Sequence, residues 1–450
     1  MSLREKAIPD AHRMVEPDRV ERRGWYTLGL IVALTLFAFV DRQVLILASE
    51  PMVRELGLTD AELGMIQGLA FALFTLAGSY PVAWAADRFD RRLVVMICVA
   101  VWTAGTVFCG VAQNFGQMFA AATIMAAGEA GLAPIALSAV ADLFFGRKRA
   151  TANAVYYLSA SAGVSAGMAL GGLAFTAIDG AHVMLPAALR HFSAWRLAFF
   201  AAAAPAPLFL IATAFGNLRR QGHAQAPGTP VQSTSVARFV LDHRGAVGGV
   251  FGAIALYMVG FGALLPWIPV ALTRMFQTSA AENGYGMGLA SAIGALCGVS
   301  IANLLLRRAL SRSASAPALS VAVPVLAAGI PMAAVLPFIA TAVQGFALVG
   351  LMLVIGTAIG SLLPSVLQAM APPSLRGRLM SLYLISTSLA AGGSPTLVGW
   401  LSTHVFPGDH QLLIVLAVVT VLSWTLGALL FSGSRRAFER LAMTVVRAGA

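Results

Sequence analysis

Three ionisable residues, Asp41, Arg42 and Glu129, lie deep inside long apolar runs of the sequence. A charge at the centre of a bilayer costs roughly 2.5–3.5 kcal/mol on insertion scales, so such residues are rare and usually functional. Desolvation favours the protonated form of a carboxyl group, whereas a neighbouring guanidinium favours the ionised form. We therefore predict that Asp41 and Glu129 take up and release protons while sharing Arg42, which tunes them.

A static ion pair that fixes helix packing is the alternative interpretation of these three residues. Two carboxylates beside one guanidinium leave a surplus negative charge, and that charge favours proton binding. The sequence contains no G-x-x-x-x-G-K-[ST] phosphate loop, no H-E-x-x-H pattern and no Cys/His cluster. Its G-V-S-A-G pattern around Ser165 lies in an apolar run and not in a strand–turn–helix. We expect no enzyme activity, no cofactor and no metal, with protons as the coupling ion.

The elements that must position these residues are membrane-spanning helices. Of 450 residues, 58% are hydrophobic and only 11% are charged, against about 25% charged in soluble proteins. This composition excludes a soluble enzyme, a secreted disulfide scaffold and a disordered chain. A span needs about 20 mostly apolar residues. Twelve segments meet this requirement: 25–49, 61–85, 92–112, 115–143, 150–178, 195–215, 245–273, 285–306, 317–339, 341–370, 378–403 and 411–432.

The distribution of basic residues sets the predicted topology. Of 30 Lys and Arg residues, only Arg54, Arg190 and Arg274 fall in loops on the side opposite the termini. Because cytoplasmic loops retain positive charge, both termini are predicted to be cytoplasmic, and the net charge of +11 does not indicate nucleic-acid binding. The predicted organisation is a cytoplasmic tail 1–24, a six-helix half 25–215, a cytoplasmic linker 216–244, a six-helix half 245–432 and a cytoplasmic tail 433–450.

The two halves contain a matching pattern at matching spacing. Aligning Arg147 with Arg376 also brings Gly163 onto Gly392. The same alignment pairs Arg149 with Arg378, Ser159 with Ser388, Ala162 with Ala391 and Ser165 with Ser394. Two parallel six-helix halves around an axis along the membrane normal are typical of transporters. The fold is therefore predicted to be an all-α polytopic membrane protein of twelve helices in two pseudo-symmetric halves.

The loop between the second and third segments reads A-D-R-F-D-R-R over residues 86–92. Paired charges in such a turn can lock helix ends together and release them when the ends separate. A solvated loop that only marks the cytoplasmic side is the alternative. The predicted cytoplasmic gate consists of Asp87, Arg88, Asp90, Arg91, Arg92, Asp142, Arg147 and Arg149.

The sequence offers milder candidates for a substrate cavity. We assign Tyr157, Tyr257, Trp267, Tyr383, Ser386 and Thr387 to it. The second half carries no ionisable residue deep in a span, so its side of a cavity is expected to be apolar. An amphipathic substrate therefore fits better than a small, multiply charged one.

Several longer motifs resemble a known family. They are F-V-D-R at 39–42, L-G-L-T-D-A-E-L-G-M-I-Q at 56–67, G-E-A at 128–130, A-D-L-F at 141–144, W-R-L-A-F at 195–199, F-G-A-L-L-P-W-I-P at 261–269 and G-S-P-T-L-V-G-W-L-S at 393–402. Together with the 86–92 loop they resemble the major facilitator superfamily and, within it, the Spinster family of lipid transporters.

This resemblance implies a proton-coupled transporter of lysophospholipids, sphingosine phosphates or similar amphiphiles, working by alternating access. It also implies a monomer in a bilayer, which we expect to be a bacterial inner membrane. A proton-linked drug exporter or an organic-anion symporter is the alternative within transport. A membrane receptor or scaffold that does not transport is the alternative of another class, and the buried carboxylates argue against it.

Overall fold

The computed structural model describes residues 17–144, 146–181, 186, 189–216, 236–311, 316–372, 375–408 and 411–449. Over these residues the chain forms helices and no strand. The first half contains α1 (Pro17–Leu47), α2 (Ser49–Leu56), α3 (Asp60–Gly64), a π-helical turn (Met65–Leu69), α4 (Ala70–Arg88), α5 (Arg91–Val111), α6 (Phe115–Glu129), α7 (Leu132–Leu143), α8 (Gly146–Ala181), α9 (Ala194–Ala203) and α10 (Ala206–Phe215). After α11 (Val236–Asp242), the second half contains α12 (Arg244–Phe276), α13 (Ala280–Ser311), α14 (Pro317–Val335), a 3-10 turn (Leu336–Phe338), α15 (Ala342–Met370), α16 (Arg376–His404) and α17 (Leu412–Gly449).

Each of the twelve predicted segments contains a helix of the structure. Three of them are interrupted away from the segment's C-terminal end: the second by the π-helical turn, the fourth at Ala130–Gly131, and the sixth at Ala204–Pro205. Within the described residues, eleven helical stretches are long and apolar enough to cross a bilayer. The remaining predicted span, 378–403, corresponds to α16, a 29-residue helix that is less apolar because Ser, Thr and Gly interrupt its Leu and Ala residues.

The long helices run between the two ends of the bundle. We call the end that holds Pro17 and Gly449 the proximal end and the opposite end the distal end. Short polar turns at the distal end begin the returning helices. The side chains of Thr59, Asn114 and Thr341 each accept a hydrogen bond from a backbone N–H three residues later. Such caps satisfy amide groups that have no partner within the helix.

The repeat found in the sequence corresponds to a repeat in packing. Helix α8 packs against α1 in its own half and against α13 in the other half. Helix α16, which corresponds to α8, packs against α12 in its own half and against α3 in the other half. The two halves therefore meet through two equivalent pairs of helices.

These contacts between the halves concentrate at the distal end. Gly172 of α8 meets Gly284 of α13, and the two backbones approach closely because neither residue has a side chain. Gly64 lies against the backbone of Pro395, where a Cβ atom would collide with the Pro395 carbonyl. Small residues that let helix backbones touch are a common basis of helix association in membranes. The structure is therefore closed between its halves at the distal end.

Candidate transport site

Asp41 lies in α1 and is fully buried against α5. Its Oδ2 atom accepts hydrogen bonds of 2.8 Å from the Trp102 indole N–H and of 2.8 Å from the Thr106 hydroxyl. Its Oδ1 atom is buried and has no hydrogen-bond partner among the described residues. One carboxylate oxygen is thus fixed by two donors, while the other receives no hydrogen bond from the described residues.

Glu129 is the last residue of α6, at the break that separates this helix from α7. The preceding Gly128 lets α6 approach the backbone of Trp102, the residue that holds Asp41. Glu129 is close enough to Arg42 and Asp41 for electrostatic interaction, and its Oε1 atom is buried without a partner in the described chain. The structure therefore brings the three predicted residues together.

Arg42 packs its guanidinium against an aromatic ring. In the described part of the chain it forms an ion pair with neither carboxylate, and its guanidinium lies 4.8 Å from the centre of the Phe71 ring. Successive helical residues point about 100° apart, so α1 directs Asp41 towards α5 and Arg42 towards the interior between the halves. Arg42 interacts electrostatically with Glu129 without forming a direct ion pair, and its role in tuning the two carboxyl groups stays a prediction.

The interior next to Arg42 holds a cavity of about 250 Å³ between the two halves. The first half contributes three polar side chains to its wall, Arg42, Gln43 and Gln67. The remaining lining residues are Phe39, Leu45, Ile46, Phe71, Val164, Met258, Phe261, Gly262, Leu265, Pro266, Ala391 and Pro395. The wall supplied by the second half is apolar throughout.

The six residues that the sequence assigned to a cavity do not line this one. Tyr257 is buried and donates its hydroxyl proton to the Gly356 carbonyl at 2.6 Å, while the Trp267 indole donates to the Pro395 carbonyl at 3.1 Å. The other four are Tyr157, Tyr383, Ser386 and Thr387, of which Thr387 donates its hydroxyl to the Tyr383 carbonyl at 2.9 Å. The face of α12 that reaches the cavity carries Met258, Phe261 and Leu265 instead.

The charged loop at the proximal end binds together helices of the first half. Arg91 donates to Asp142 at 2.6 Å, which joins α5 to α7. The Asp90 side chain accepts from the Arg92 backbone N–H at 2.9 Å and caps α5. The Arg92 side chain donates to the Ala214 carbonyl at the end of α10.

The rest of the predicted gate also lies in the first half. The Arg88 guanidinium lies 4.6 Å from the centre of the Trp84 ring, and Asp87 and Arg149 are exposed. Arg147 is the second residue of α8, and its side chain lies outside the described part of the chain. The hydrogen bonds and ion pairs described for this loop join α5 to α7 and α10, and none of them reaches the second half.

A cluster of charges at the distal end does join the halves. Arg274, at the end of α12, donates to both carboxylate oxygens of Asp60 at 3.0 and 2.6 Å and to Glu50 at 2.9 Å. Glu50 also accepts from Arg54 at 2.9 Å, and Asp60 accepts from the Ser402 hydroxyl at 2.6 Å. We call Glu50, Asp60 and Arg274 the distal ion cluster. Sequence analysis missed it, because it treated Arg54 and Arg274 only as loop charges.

A second distal contact fixes α2 within the first half. The Glu55 carboxylate accepts from the Trp195 indole at 2.6 Å and from Arg196 at 2.8 Å, and Arg196 also donates to the Gly110 carbonyl. Burial raises the pKa of Glu55, but the hydrogen bonds from Arg196 and Trp195 and the charge of Arg196 outweigh it and hold the pKa below its usual value. Helix α2 thus links α5 and α9 of the first half to the distal ion cluster.

The profile of the Major Facilitator Superfamily matches residues 31–395. The chain belongs to the major facilitator superfamily. Members of this superfamily are transporters, so the protein is a membrane transporter with multiple transmembrane helices.

Similar proteins include transporters of more than one kind. The chain is 27% identical over 389 residues to an MFS-type efflux pump of Mycolicibacterium smegmatis, covering 85% of each chain. It is 24% identical over 262 residues to protein spinster homolog 3 of Danio rerio, covering 56% of this chain and 49% of that one.

A solved structure of a bacterial homologue of the human lysosomal transporter Spinster, in an inward-facing and unoccupied conformation, aligns with a TM-score of 0.74. The identity is 20%, and the alignment covers 94% of this chain and 98% of that chain. The predicted likeness to Spinster proteins is therefore confirmed at the level of fold.

Proposed function

We propose that this transporter couples the movement of amphipathic, lipid-like molecules to protons by alternating access. The observation that carries the proposal is the environment of Asp41, whose Oδ1 atom is buried without a partner while Oδ2 holds two donors. An ionised carboxylate in this position leaves one oxygen unsolvated, which is costly in a protein interior. Proton binding at Oδ1 neutralises the charge and so lowers that cost without displacing Trp102 or Thr106.

Glu129 and Arg42 are proposed to make the proton affinity of Asp41 depend on the conformation of the protein. Both interact electrostatically with the site, and Glu129 lies at a break in its helix, where a small backbone change moves the side chain. Movement of Glu129 towards or away from Arg42 changes the charge that Asp41 experiences. The proton is taken up in one state and released in the other.

The cavity wall supports an amphipathic substrate. Arg42 has no carboxylate partner in the described chain and offers a cation to an anionic head group such as a phosphate or carboxylate. The apolar wall formed by α12 and α16 suits a hydrocarbon tail. Lysophospholipids and sphingosine phosphates combine these two features.

The distribution of basic residues supports insertion in a bacterial inner membrane with both termini in the cytoplasm. In this orientation the distal end faces the outside, and the conformation closed at the distal end is the inward-facing one. The distal ion cluster then acts as the external gate.

Proteoliposomes test the proposal directly. The uptake of a labelled lysophospholipid would be followed with and without an imposed pH gradient, next to a hydrophilic organic anion. We expect lipid movement that depends on the gradient in the native protein and loss of that dependence in Asp41→Asn. Movement of the anion alone would overturn the lipid assignment, and equal coupling in Asp41→Asn would overturn the role of Asp41.

Proton-linked drug export is the second candidate, and the likeness to a mycobacterial efflux pump over 85% of the chain favours it. Hydrophobic cationic drugs and lysophospholipids would compete for the same cavity if both were substrates. A competition assay separates the candidates, because a drug exporter is inhibited by several unrelated drugs and a lipid transporter by lysophospholipids alone.

A further inference from the structure

Two glutamines in the cavity wall, Gln43 and Gln67, have no role in the proposed proton site. They are 3% and 4% exposed, and the side-chain oxygen of each is buried without a hydrogen-bond donor in the described chain. Buried polar atoms are normally paired, so two unpartnered acceptors in one cavity require an explanation.

The orientation of the Gln67 amide follows from its neighbour. The Ser49 hydroxyl donates its one proton to the Leu45 carbonyl at 3.0 Å. The Ser49 oxygen is then an acceptor, and it is bound by the NH₂ group of Gln67. The carbonyl oxygen of Gln67 must therefore point away from Ser49, and it remains the atom in need of a donor.

Each glutamine lies at a local backbone feature that makes room for its side chain or changes its direction. Gln67 lies in the π-helical turn Met65–Leu69, a distortion that occurs often at functional sites. Gln43 passes next to Gly167 of α8, where a Cβ atom would lie 2.8 Å from the Gln43 Cγ atom. Both side chains are held by their surroundings and are parts of the wall that also carries Arg42.

We propose that the side-chain oxygens of Gln43 and Gln67 select substrates whose head group carries N–H or O–H donors beside an anionic group bound by Arg42. A metal cation is a poor occupant, because the guanidinium shares the cavity and repels it. A head group that combines a phosphate with a primary ammonium satisfies all three side chains. A trimethylated ammonium leaves both oxygens unpaired.

This inference rests on the proposed lipid transport and sharpens it to a class of head group. The test compares palmitoyl lysophosphatidylethanolamine with its trimethylated form, palmitoyl lysophosphatidylcholine, in flux through proteoliposomes and in binding to the purified protein. We expect the native protein to prefer the ethanolamine lipid by at least about tenfold, because sites built to hydrogen-bond a group reject analogues that lack it.

Gln43→Met and Gln67→Met keep the length of the side chain and remove its polar atoms. We expect each variant to lose most of the preference by binding the ethanolamine lipid more weakly, with the choline lipid unchanged. Gln113→Met, at an exposed distal position, is the control and should retain the preference. Thermal unfolding of each variant in detergent checks that it is folded.

The outcomes separate this inference from the proposed function. Equal flux of both lipids in the native protein would overturn the selection and leave lipid transport intact. A preference that survives both Met variants would also overturn it, because discrimination would then be steric. A preference in binding that the Met variants lose, without any flux, would support the selection and contradict lipid transport. Neither binding nor flux of either lipid would overturn both.

Discussion

The guanidinium group of Arg274 holds the carboxylate of Asp60 through two hydrogen bonds, of 3.0 and 2.6 Å, across the boundary between the two halves. A bidentate pair of this kind is strong and directional. The Arg274 side chain is only 8% exposed and that of Asp60 12%, so water competes little with the pair. Because Glu50 binds both Arg274 and Arg54, it keeps a cationic partner when the halves separate.

The first prediction concerns the distal ion cluster. Arg274→Ala leaves Asp60 and Glu50 without their shared partner, and removing one member of a buried pair costs about 3–5 kcal/mol. The state that is closed at the distal end should lose at least tenfold in population relative to the open state. Spin-label distances between cysteines placed at Gln113 and Phe338 would measure the change, after Cys297 has been replaced by Ser.

Arg435→Ala is the matched control for this prediction, because Arg435 pairs with Glu439 on the proximal part of α17, where its side chain is 48% exposed. Pairs of this kind contribute little to stability. An unchanged distance distribution in Arg274→Ala, or an equal change in both variants, would contradict the proposed gate.

The second prediction compares two adjacent glycines of α16. A Cβ atom at Gly392 would collide with Ala72 of α4, whereas a Cβ atom at Gly393 would meet no atom within 4 Å. Gly392→Ala should therefore favour the state open at the distal end and slow transport severalfold. Gly393→Ala should transport normally and be slightly more stable, by about 0.5–1 kcal/mol, because alanine favours the helix.

Transport rates and the same distance measurement test this pair of variants. The account fails if Gly393→Ala is impaired as much as Gly392→Ala, since helix propensity and not the contact between the halves would then explain the effect.

The third prediction concerns the pH dependence of stability. Because the folded protein holds the pKa of Glu55 below its usual value, the ionised carboxylate stabilises the fold above the unfolded pKa of about 4.3. That contribution is lost as the pH falls from about 5 towards the folded pKa. In detergent, the melting temperature of Glu55→Gln should lie below that of the native protein at pH 7, and the difference should shrink as the pH falls below 5.

Asp242→Asn, at the exposed end of α11, controls for the loss of one negative charge. A difference between Glu55→Gln and the native protein that is the same at pH 7 and at pH 4 would refute the contribution of the Glu55 contacts.

The fold could be predicted from the sequence because a bilayer restricts the length of spanning helices and the placement of charge. The twelve segments follow from these restrictions, and the repeat around Gly163 and Gly392 follows from aligning the two halves of the sequence. The breaks did not follow from these restrictions, because the turn at Met65–Leu69 and the break at Ala130–Gly131 interrupt runs whose composition does not change.

The candidate site could be predicted from the sequence only in part. Asp41 and Glu129 stand out because a charge in an apolar run is rare, but one of the two partners of Asp41 is Trp102, which composition counts as apolar. The pairing of Arg274 with Asp60 joins residues 214 positions apart. No local sequence pattern predicts a contact over such a separation. The three acidic residues within 50–60 and the arginine at the end of α12 could still have indicated an ion pair between the two loops.

Proton movement into proteoliposomes, recorded by a trapped pH dye while lysophospholipid is added, tests the central claim most directly. The account predicts that substrate drives proton movement in the native protein. It predicts that Asp41→Asn, which mimics the protonated carboxyl group, exchanges labelled for unlabelled lipid across the membrane without moving protons. Substrate-driven proton movement in Asp41→Asn at the native rate would contradict the account.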